Sequence, residues 1–291
     1  MKCEVVLTRS GAPAMRDRAS GEVMHPGTGP GVEPQALYVV PSNLEARLRA
    51  PLASMPTAPS EPLVLLDVGL GAASNAIAAW RVSEALAGAT GARRLEIVSF
   101  DDDLSALELA LQPQHAEAFA LTRDGFDAHS AASALLAHGR FETARTTWRL
   151  ALGDFPEVLA REPSASADVV FWDFYSSKTH PHLWSLATFR ALRRVCRPGA
   201  TLHTYSTATS FRAGLLLAGF AVGIGTSTGD RTETTLGAVD AADLAQPLDA
   251  RWLERLARSS AAFPSDVAAD PDARAEALAA VRACPQFASP A

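Results

Sequence analysis

Four short apolar runs, each ending on glycine or an acid, set the frame of this chain. Leu63-Val64-Leu65-Leu66 leads to Asp67, Gly69 and Gly71, and Leu95-Glu96-Ile97-Val98-Ser99-Phe100 leads to Asp101-Asp102-Asp103. Residues 146–152 lead to Gly153-Asp154, and Val169-Val170-Phe171-Trp172 leads to Asp173. Runs this short and this apolar predict strands buried on both faces, as in a parallel sheet covered by helices. Between them the spacing becomes helical. Asn75-Ala76-Ile77-Ala78-Ala79-Trp80 follows the first strand, and residues 189–197 set Phe189, Leu192, Val195 and Cys196 against Arg190, Arg193, Arg194 and Arg197. Arg197-Pro198-Gly199 turns the chain into a fifth strand over 200–206, with a helix over 211–218. Alternating strands and helices predict a doubly wound, mostly parallel α/β sheet. The last apolar runs, 221–225 and 234–239, are joined by a polar turn with no room for a helix, so they form an antiparallel pair closing the sheet.

Residues 63–240 therefore form the main domain, with an alanine- and leucine-rich helical insert at 104–145. Residues 1–62 are rich in Gly and Pro, with short extended runs at Glu4-Val5-Val6-Leu7 and Ala36-Leu37-Tyr38-Val39-Val40, and read as an irregular cap. The tail, 241–291, carries two amphipathic helices, 251–258 and 271–283, the second opened by Asp270-Pro271 as N-cap and first helical residue. At 291 residues and 48% hydrophobic, the chain buries a large core without disulfides. Cys3, Cys196 and Cys284 are odd in number and lack metal-ligand spacing, which fits a reduced, cytoplasmic setting. No stretch reaches the length and apolarity of a membrane span. A net charge of −6 argues against generalised binding to phosphate backbones, though not against a local patch. The arginine-striped helix is one candidate patch; a solvated face is the plainer alternative.

The chemistry gathers at the strand ends. In Asp67-Val-Gly69-Leu-Gly71-Ala-Ala-Ser74-Asn75, the glycines let backbone approach a ligand at a helix start. A dinucleotide site prefers glycine where Ser74 stands and an acid about twenty residues further on. Here the acid precedes the first glycine, which suits a ligand with a cationic amino-acid end. Any of Asp101, Asp102 or Asp103 can accept from ribose hydroxyls, Asp101 being first after the strand. Gly153 and Asp154 place an acceptor where an adenine amino group would lie, unless Asp154 only caps a helix. Asp173 opens a loop crowded with Phe174, Tyr175, Lys178, His180 and Trp184, at the carboxyl end of a central strand where such sheets bind ligands. His180-x-His182 lacks cysteine or carboxylate partners in sequence, so no metal is expected.

Taken in order, these segments resemble the MnmC-type enzymes, which methylate the aminomethyl group on the wobble uridine of certain tRNAs. The resemblance covers residues 22 to about 239. It includes Leu37-Tyr38-Val39-Val40 with Asn43-Leu44-Glu45-Ala46-Arg47-Leu48, the Gly69-x-Gly71-x-x-x-Asn75 turn, Ser99-Phe100 with an acid, and Trp148-Arg149-Leu150-Ala151-Leu152-Gly153-Asp154. It continues through the Asp173 loop with Lys178, Pro181 and Trp184, then Arg197-Pro198-Gly199-Ala200-Thr201-Leu202 and Arg212-x-Gly214-Leu215-x-x-Ala218-Gly219-Phe220. It implies a Rossmann-like class I methyltransferase with S-adenosylmethionine as donor, held by Asp67, Gly69, Gly71, Asn75, Asp101, Asp102, Gly153 and Asp154. Asp173 would stand beside the acceptor amine, with Phe174, Tyr175, Lys178, His180 and Trp184 around the substrate. The terminal hairpin also points away from a dehydrogenase. Two departures fall at the substrate side. The family's Phe-x-Pro-x-Lys-Asn-Pro after the aspartate is replaced by Phe174-Tyr175-Ser176-Ser177-Lys178-Thr179-His180-Pro181, and its basic segment by the nearly neutral stretch 226–233. The family's fused flavin domain finds no glycine-rich strand-turn-helix after Ala241. The leading expectation is methylation of a tRNA wobble uridine. Its alternatives are a small-molecule amine or another nucleoside as acceptor, and a non-catalytic cofactor-binding scaffold.

Overall fold

The computed structural model describes residues 2–8, 10–24, 29–49, 61–122, 125–227 and 233–288. Residues 50–60 of the expected cap and 228–232 of the neutral stretch lie outside these. Among the described residues ten strands form: β1 Cys3–Leu7, β2 Pro13–Asp17, β3 Leu63–Val68, β4 Leu95–Asp101, β5 Arg140–Glu142, β6 Thr146–Leu152, β7 Ala167–Trp172, β8 Cys196–Thr204, β9 Ala221–Gly225 and β10 Thr234–Ala238. Eight make one sheet in the order β5-β6-β4-β3-β7-β8-β10-β9, and β1 and β2 form a separate hairpin. Strands β6, β4, β3, β7 and β8 run parallel, while β10 is antiparallel to both β8 and β9. The last strand thus lies between its two predecessors.

Every residue of β3 is buried, because helices cover both faces of the sheet. With period two, Leu63 and Leu65 enter one core with the helix Ser74–Glu84 and the insert. Val64, Leu66 and Val68 enter the other, with the helices Leu186–Val195 and Thr209–Leu217 and the tail. From β3 the chain runs outward to β4, β5 and β6 on one side and then crosses back to β7 on the other, which opens a crevice at the carboxyl ends of these strands.

Four features differ from the sequence expectation. Ala36–Val40, read as extended, instead lies in a π-helical turn over Gln35–Val39, with Val40 N donating to Gln35 O at 2.9 Å. Leu37, Tyr38 and Val39 are all buried there, and so short an apolar run carries no period that separates strand from helix. The insert holds the helices Ser105–Ala110 and Ala128–His138 but also β5, which pairs with β6 as an edge strand. Arg197-Pro198-Gly199 is no separate turn; it is taken up inside β8 as an irregularity between the Ala167–Cys196 and Val169–Thr201 pairs. Finally, the arginine stripe is not freely solvated along its length: three of its four arginines bond backbone carbonyls, while Arg190 is exposed. Arg193 Nε donates to Gly219 O at 3.1 Å, Arg194 donates to Leu159 O and Glu162 O at 3.0 and 2.9 Å, and Arg197 donates to Ser166 O at 2.7 Å. These are the loops entering β7 and β9, at the sheet end opposite the crevice.

The tail covers the sheet's edge. Gln286 brackets Val222 of β9, accepting from its N–H at 2.8 Å and donating to its carbonyl at 3.0 Å. Leu248 N and Ile224 N add further backbone bonds across the same edge, leaving little of β9 open to another strand. The helices Ala250–Arg258 and Pro271–Arg282 are capped by Asp249 and Asp270. No helix among the described residues is long and apolar enough to cross a membrane.

Candidate active site

Beneath the crevice, a buried relay runs through three strands. Trp148 Nε1 on β6 donates to Ser99 Oγ on β4 at 2.9 Å, and Ser99 donates to Asp67 Oδ2 on β3 at 2.6 Å. Asp67 is fully buried and does not line the cavity, and its Oδ1 has no hydrogen-bond partner among the described residues. Burial pushes its carboxyl up to about 7, against the opposing pull of the Ser99 bond. The sequence places Asp67 on the ligand; the fold places it under the glycine turn that faces the ligand. Gly69 sits at φ +96°, where a Cβ would lie 2.7 Å from the Asp173 carbonyl oxygen. The acceptor loop and the glycine turn therefore touch backbone to backbone, which only glycine permits.

Asp101 ends β4 and lines the cavity, with its carboxylate turned to backbone. Oδ2 accepts from Gly71 N at 2.9 Å, and Oδ1 accepts from Asp102 N and Asp103 N at 2.9 and 3.2 Å. Solvent reaches part of the residue through the cavity, yet burial pushes its carboxyl up to about 6, opposed by the Gly71 and Asp103 amides. Asp103 is bound to Lys2 at 2.5 Å and to Ser105 N at 2.8 Å. Of the three acids, Asp102 is the exposed one on the cavity wall. Gly153 donates its N–H to Asp101 O at 2.9 Å, and Asp154 beside it makes no capping bond to its helix. Asp154 instead accepts from His182 Nε2 at 3.2 Å, so the capping alternative gives way to a contact across the mouth.

Asp173, just beyond β7, is anchored by its N–H to Val68 O at 2.8 Å, and Asn75 Nδ2 donates to its Oδ2 at 2.7 Å. Asn75 does not line the cavity; it orients the aspartate. The Tyr38 hydroxyl is buried beside the same carboxylate. Burial first, then the Asp173 charge, holds its pKa well above the usual phenol range, although the geometry falls short of a full hydrogen bond. Phe174 and Tyr175 line the cavity; Tyr175 stacks on His180 with centroids 5.6 Å apart. Trp184 is buried, donating Nε1 to Tyr175 O at 2.8 Å and packing on Trp172 and Phe211, so it supports the loop from behind. Lys178 is exposed and off the cavity.

The N-terminal cap contributes residues that the sequence reading did not single out. Glu22 accepts from Ser176 N and Thr179 Oγ1, each at 3.1 Å, and from Ser176 Oγ. Met24 lies over Gly71, and Glu33, with 6% of its surface exposed, lines the inner wall. Their only signal in the sequence was acids in a segment otherwise short of structure. The cavity so enclosed measures about 690 Å³, within the roughly 300–1,000 Å³ of small-ligand sites. Among the described residues, eight carboxylates line it against one lysine, Lys2, itself paired with Asp103. An acidic cavity floored by a glycine turn fits a cationic sulfonium with an ammonium group, and so fits S-adenosylmethionine. Among the described residues no group of three or more His, Cys, Asp or Glu is placed to hold a metal.

Residues 121–240 match a family described as S-adenosyl-L-methionine-dependent methyltransferase. A relative from Stutzerimonas stutzeri (strain A1501), named tRNA 5-methylaminomethyl-2-thiouridine biosynthesis bifunctional protein MnmC, is 31% identical over 211 residues, covering 69% of this chain and 30% of that protein. The protein of that name from Pseudomonas aeruginosa (strain UCBPP-PA14) is 36% identical over 168 residues, covering 56% and 25%. This chain thus spans less than a third of the length of these relatives. The crystal structure of MnmC2 from Aquifex aeolicus shares the fold with a TM-score of 0.69 at 21% identity, over 98% of this chain and 86% of that one.

Proposed function

Since the chain belongs to the S-adenosyl-L-methionine-dependent methyltransferases, through a domain of the MnmC type, we propose that it methylates the aminomethyl nitrogen of a tRNA wobble uridine, in the cytoplasm. The observation that carries this reading is Asp173, held by Asn75 and set beside Tyr38 on the wall of an acidic cavity at the switch point of the sheet. S-adenosylmethionine, when bound, supplies a methyl already activated on a sulfonium. What the protein adds is placement. Gly69 and Gly71 let backbone form the floor, Asp102 offers acceptor oxygens to the ribose, and Asp154 with His182 closes the side where adenine would lie. Asp173 orients the acceptor nitrogen and stabilises the positive charge that develops as the new N–C bond forms. Phe174 and the Tyr175–His180 stack exclude water from one wall. The relatives' name supports tRNA as the acceptor, while the acidic mouth means that few phosphates are neutralised near the site.

Labelled S-adenosylmethionine, incubated with this protein and tRNA from a strain lacking its own wobble methyltransferase, tests the reading. Label should appear in the wobble nucleoside, and binding should weaken with salt with a log-log slope of only a few units. Label in small amines but in no tRNA would replace tRNA with a small acceptor. Cofactor binding without any transfer would leave a scaffold.

A further inference from the structure

The loop that follows Asp173 is held in place by a carboxylate from the far end of the chain. Glu22 reaches it from a short extended segment laid along β2: Asp17 N donates to Glu22 O at 2.9 Å, Val23 bridges Arg16, and Met24 N donates to Met15 O at 2.8 Å. The hairpin is itself tied down by the Lys2–Asp103 ion pair, so the carboxylate is presented from an anchored support. Glu22 Oε2 accepts from Ser176 N and Thr179 Oγ1, each at 3.1 Å, and Oε1 accepts from Ser176 Oγ. One carboxylate thus takes three donors of the loop, in bonds that its charge strengthens. Met24, two residues on, lies over Gly71 on the cofactor side.

The third donor fixes the state of its neighbour. Thr179 Oγ1 lies 3.1 Å from Glu22 Oε2, 3.0 Å from Ser176 O and 3.1 Å from His180 Nδ1. An ionised carboxylate and a carbonyl can only accept, so the single hydroxyl hydrogen goes to them and Thr179 has to accept from the imidazole. His180 Nδ1 therefore carries a hydrogen, and in the neutral ring the lone pair sits on Nε2. The same ring is stacked on Tyr175, with centroids 5.6 Å apart, and both residues line the cavity. We propose that Glu22 is a positioning residue for the methyl acceptor, setting the loop through Ser176 and, through Thr179, holding His180 on Tyr175 in the Nδ1–H form. This rests on the loop receiving the acceptor, as proposed above. Glu22 touches the loop and not the glycine turn, so its effect falls on the acceptor and spares the cofactor.

Methyl transfer to tRNA from a strain lacking its own wobble methyltransferase, measured beside calorimetric cofactor affinity, tests this. Thr179→Val keeps the side chain's shape and removes the hydroxyl between Glu22 and His180. Its kcat/KM for tRNA should fall about 10–100-fold, as when one hydrogen bond to a charged group is lost, with cofactor affinity and Tm close to wild type. Glu22→Ala, which strips all three bonds, should fall further. Glu22→Gln should recover most of that loss, because its amide oxygen can replace Oε2 while its NH2 meets Ser176 Oγ. Nitrogen-15 spectra of the imidazoles at about pH 9, where an ordinary imidazole is neutral, read the relay directly. With His180 assigned by the signal lost in His180→Gln, wild type and Glu22→Gln should show Nδ1–H, and Thr179→Val should lose that preference. A wild type showing Nε2–H, or a Thr179→Val that transfers as wild type does, would overturn the proposal. So would a loss of cofactor affinity in Glu22→Ala and Thr179→Val as large as the loss of transfer, which would make Glu22 a strut of the cap. A wild type that transfers to no tRNA would sink the tRNA reading; the spectra need no acceptor and would still uphold or sink the relay.

Discussion

At the scale of single residues, the carboxylates divide into those that face a ligand and those that hold the fold for them. Asp173 lines the cavity and, on the function proposed above, belongs to the first kind. Asp173→Asn keeps the side chain's shape but loses the charge that a developing ammonium needs, so turnover should fall roughly 10²–10³-fold with cofactor affinity little changed. Single-turnover rates beside calorimetric binding check this; an unimpaired variant would leave Asp173 as a mere turn former. Asp67 belongs to the second kind and makes stability depend on pH. The folded protein keeps its proton up to about pH 7, against an ordinary value of 3.8. Between these limits the folded state binds more protons than the unfolded chain, so this group makes stability fall as pH rises, the reverse of a paired surface acid. Asp67→Asn leaves an amide oxygen for the Ser99 hydroxyl and removes the fall. Its stability advantage over wild type should therefore grow between pH 4 and 7, by at most about 4 kcal/mol. Denaturation curves across that range measure it, and a difference independent of pH would place the titration elsewhere.

Elements show which parts of the molecule were legible in the sequence. Strands β3 and β7 could be read because both faces are covered, so their apolar runs are nearly unbroken; β4 and β6 carry Glu96 and Arg149 and were read from the acids on which they end at the crevice. Positions along those strand ends were equally readable; the direction of a side chain was not. Asp67 and Asp101 precede or follow glycine as a ligand-binding acid would, and only the folded backbone shows one sealed below the turn and the other spent on amides. The cap was opaque for another reason: Glu22 bonds Ser176 and Thr179, 154 and 157 positions away, and no local period encodes such pairs. The glycine turn allows a sharp check. Gly69→Ala must place a methyl against the Asp173 carbonyl at a positive φ, adding about 1–3 kcal/mol of backbone strain to an overpacking cost of similar size. Gly139→Ala, at φ +66° with open space around it, meets the strain alone. Thermal unfolding should separate the two, and only Gly69→Ala should disturb cofactor binding. The arginine helix gives the converse case. Arg194→Ala removes bonds to Leu159 O and Glu162 O, so Tm should drop by roughly 2–4 °C, while the affinity and salt slope for tRNA stay as in wild type. A reduced slope would return that helix to the RNA interface.

For the whole molecule, the acidic cavity, the acceptor loop and the cap form one unit, and the tail forms another with the far edge of the sheet. The first reconciles a net charge of −6 with the RNA acceptor proposed above: on that reading the negative charge is concentrated where a sulfonium and an ammonium would bind, and phosphate contacts must come from elsewhere. The second has a consequence for how the protein is made. Because β10 lies between β8 and β9, the ribosome delivers the sheet's strands out of spatial order. When residue 225 has emerged, β9 has nothing to pair with, and β8 has an open flank until residues 234–238 leave the exit tunnel. Closure then awaits Gln286, almost the last described residue. Nascent chains halted before residue 234 should be cut readily within 196–225 by a probing protease, and those extended past residue 286 by enough to clear the tunnel should resist. Equal resistance in both would mean that β8 and β9 find temporary partners, and that the order of synthesis leaves no mark on the order of folding.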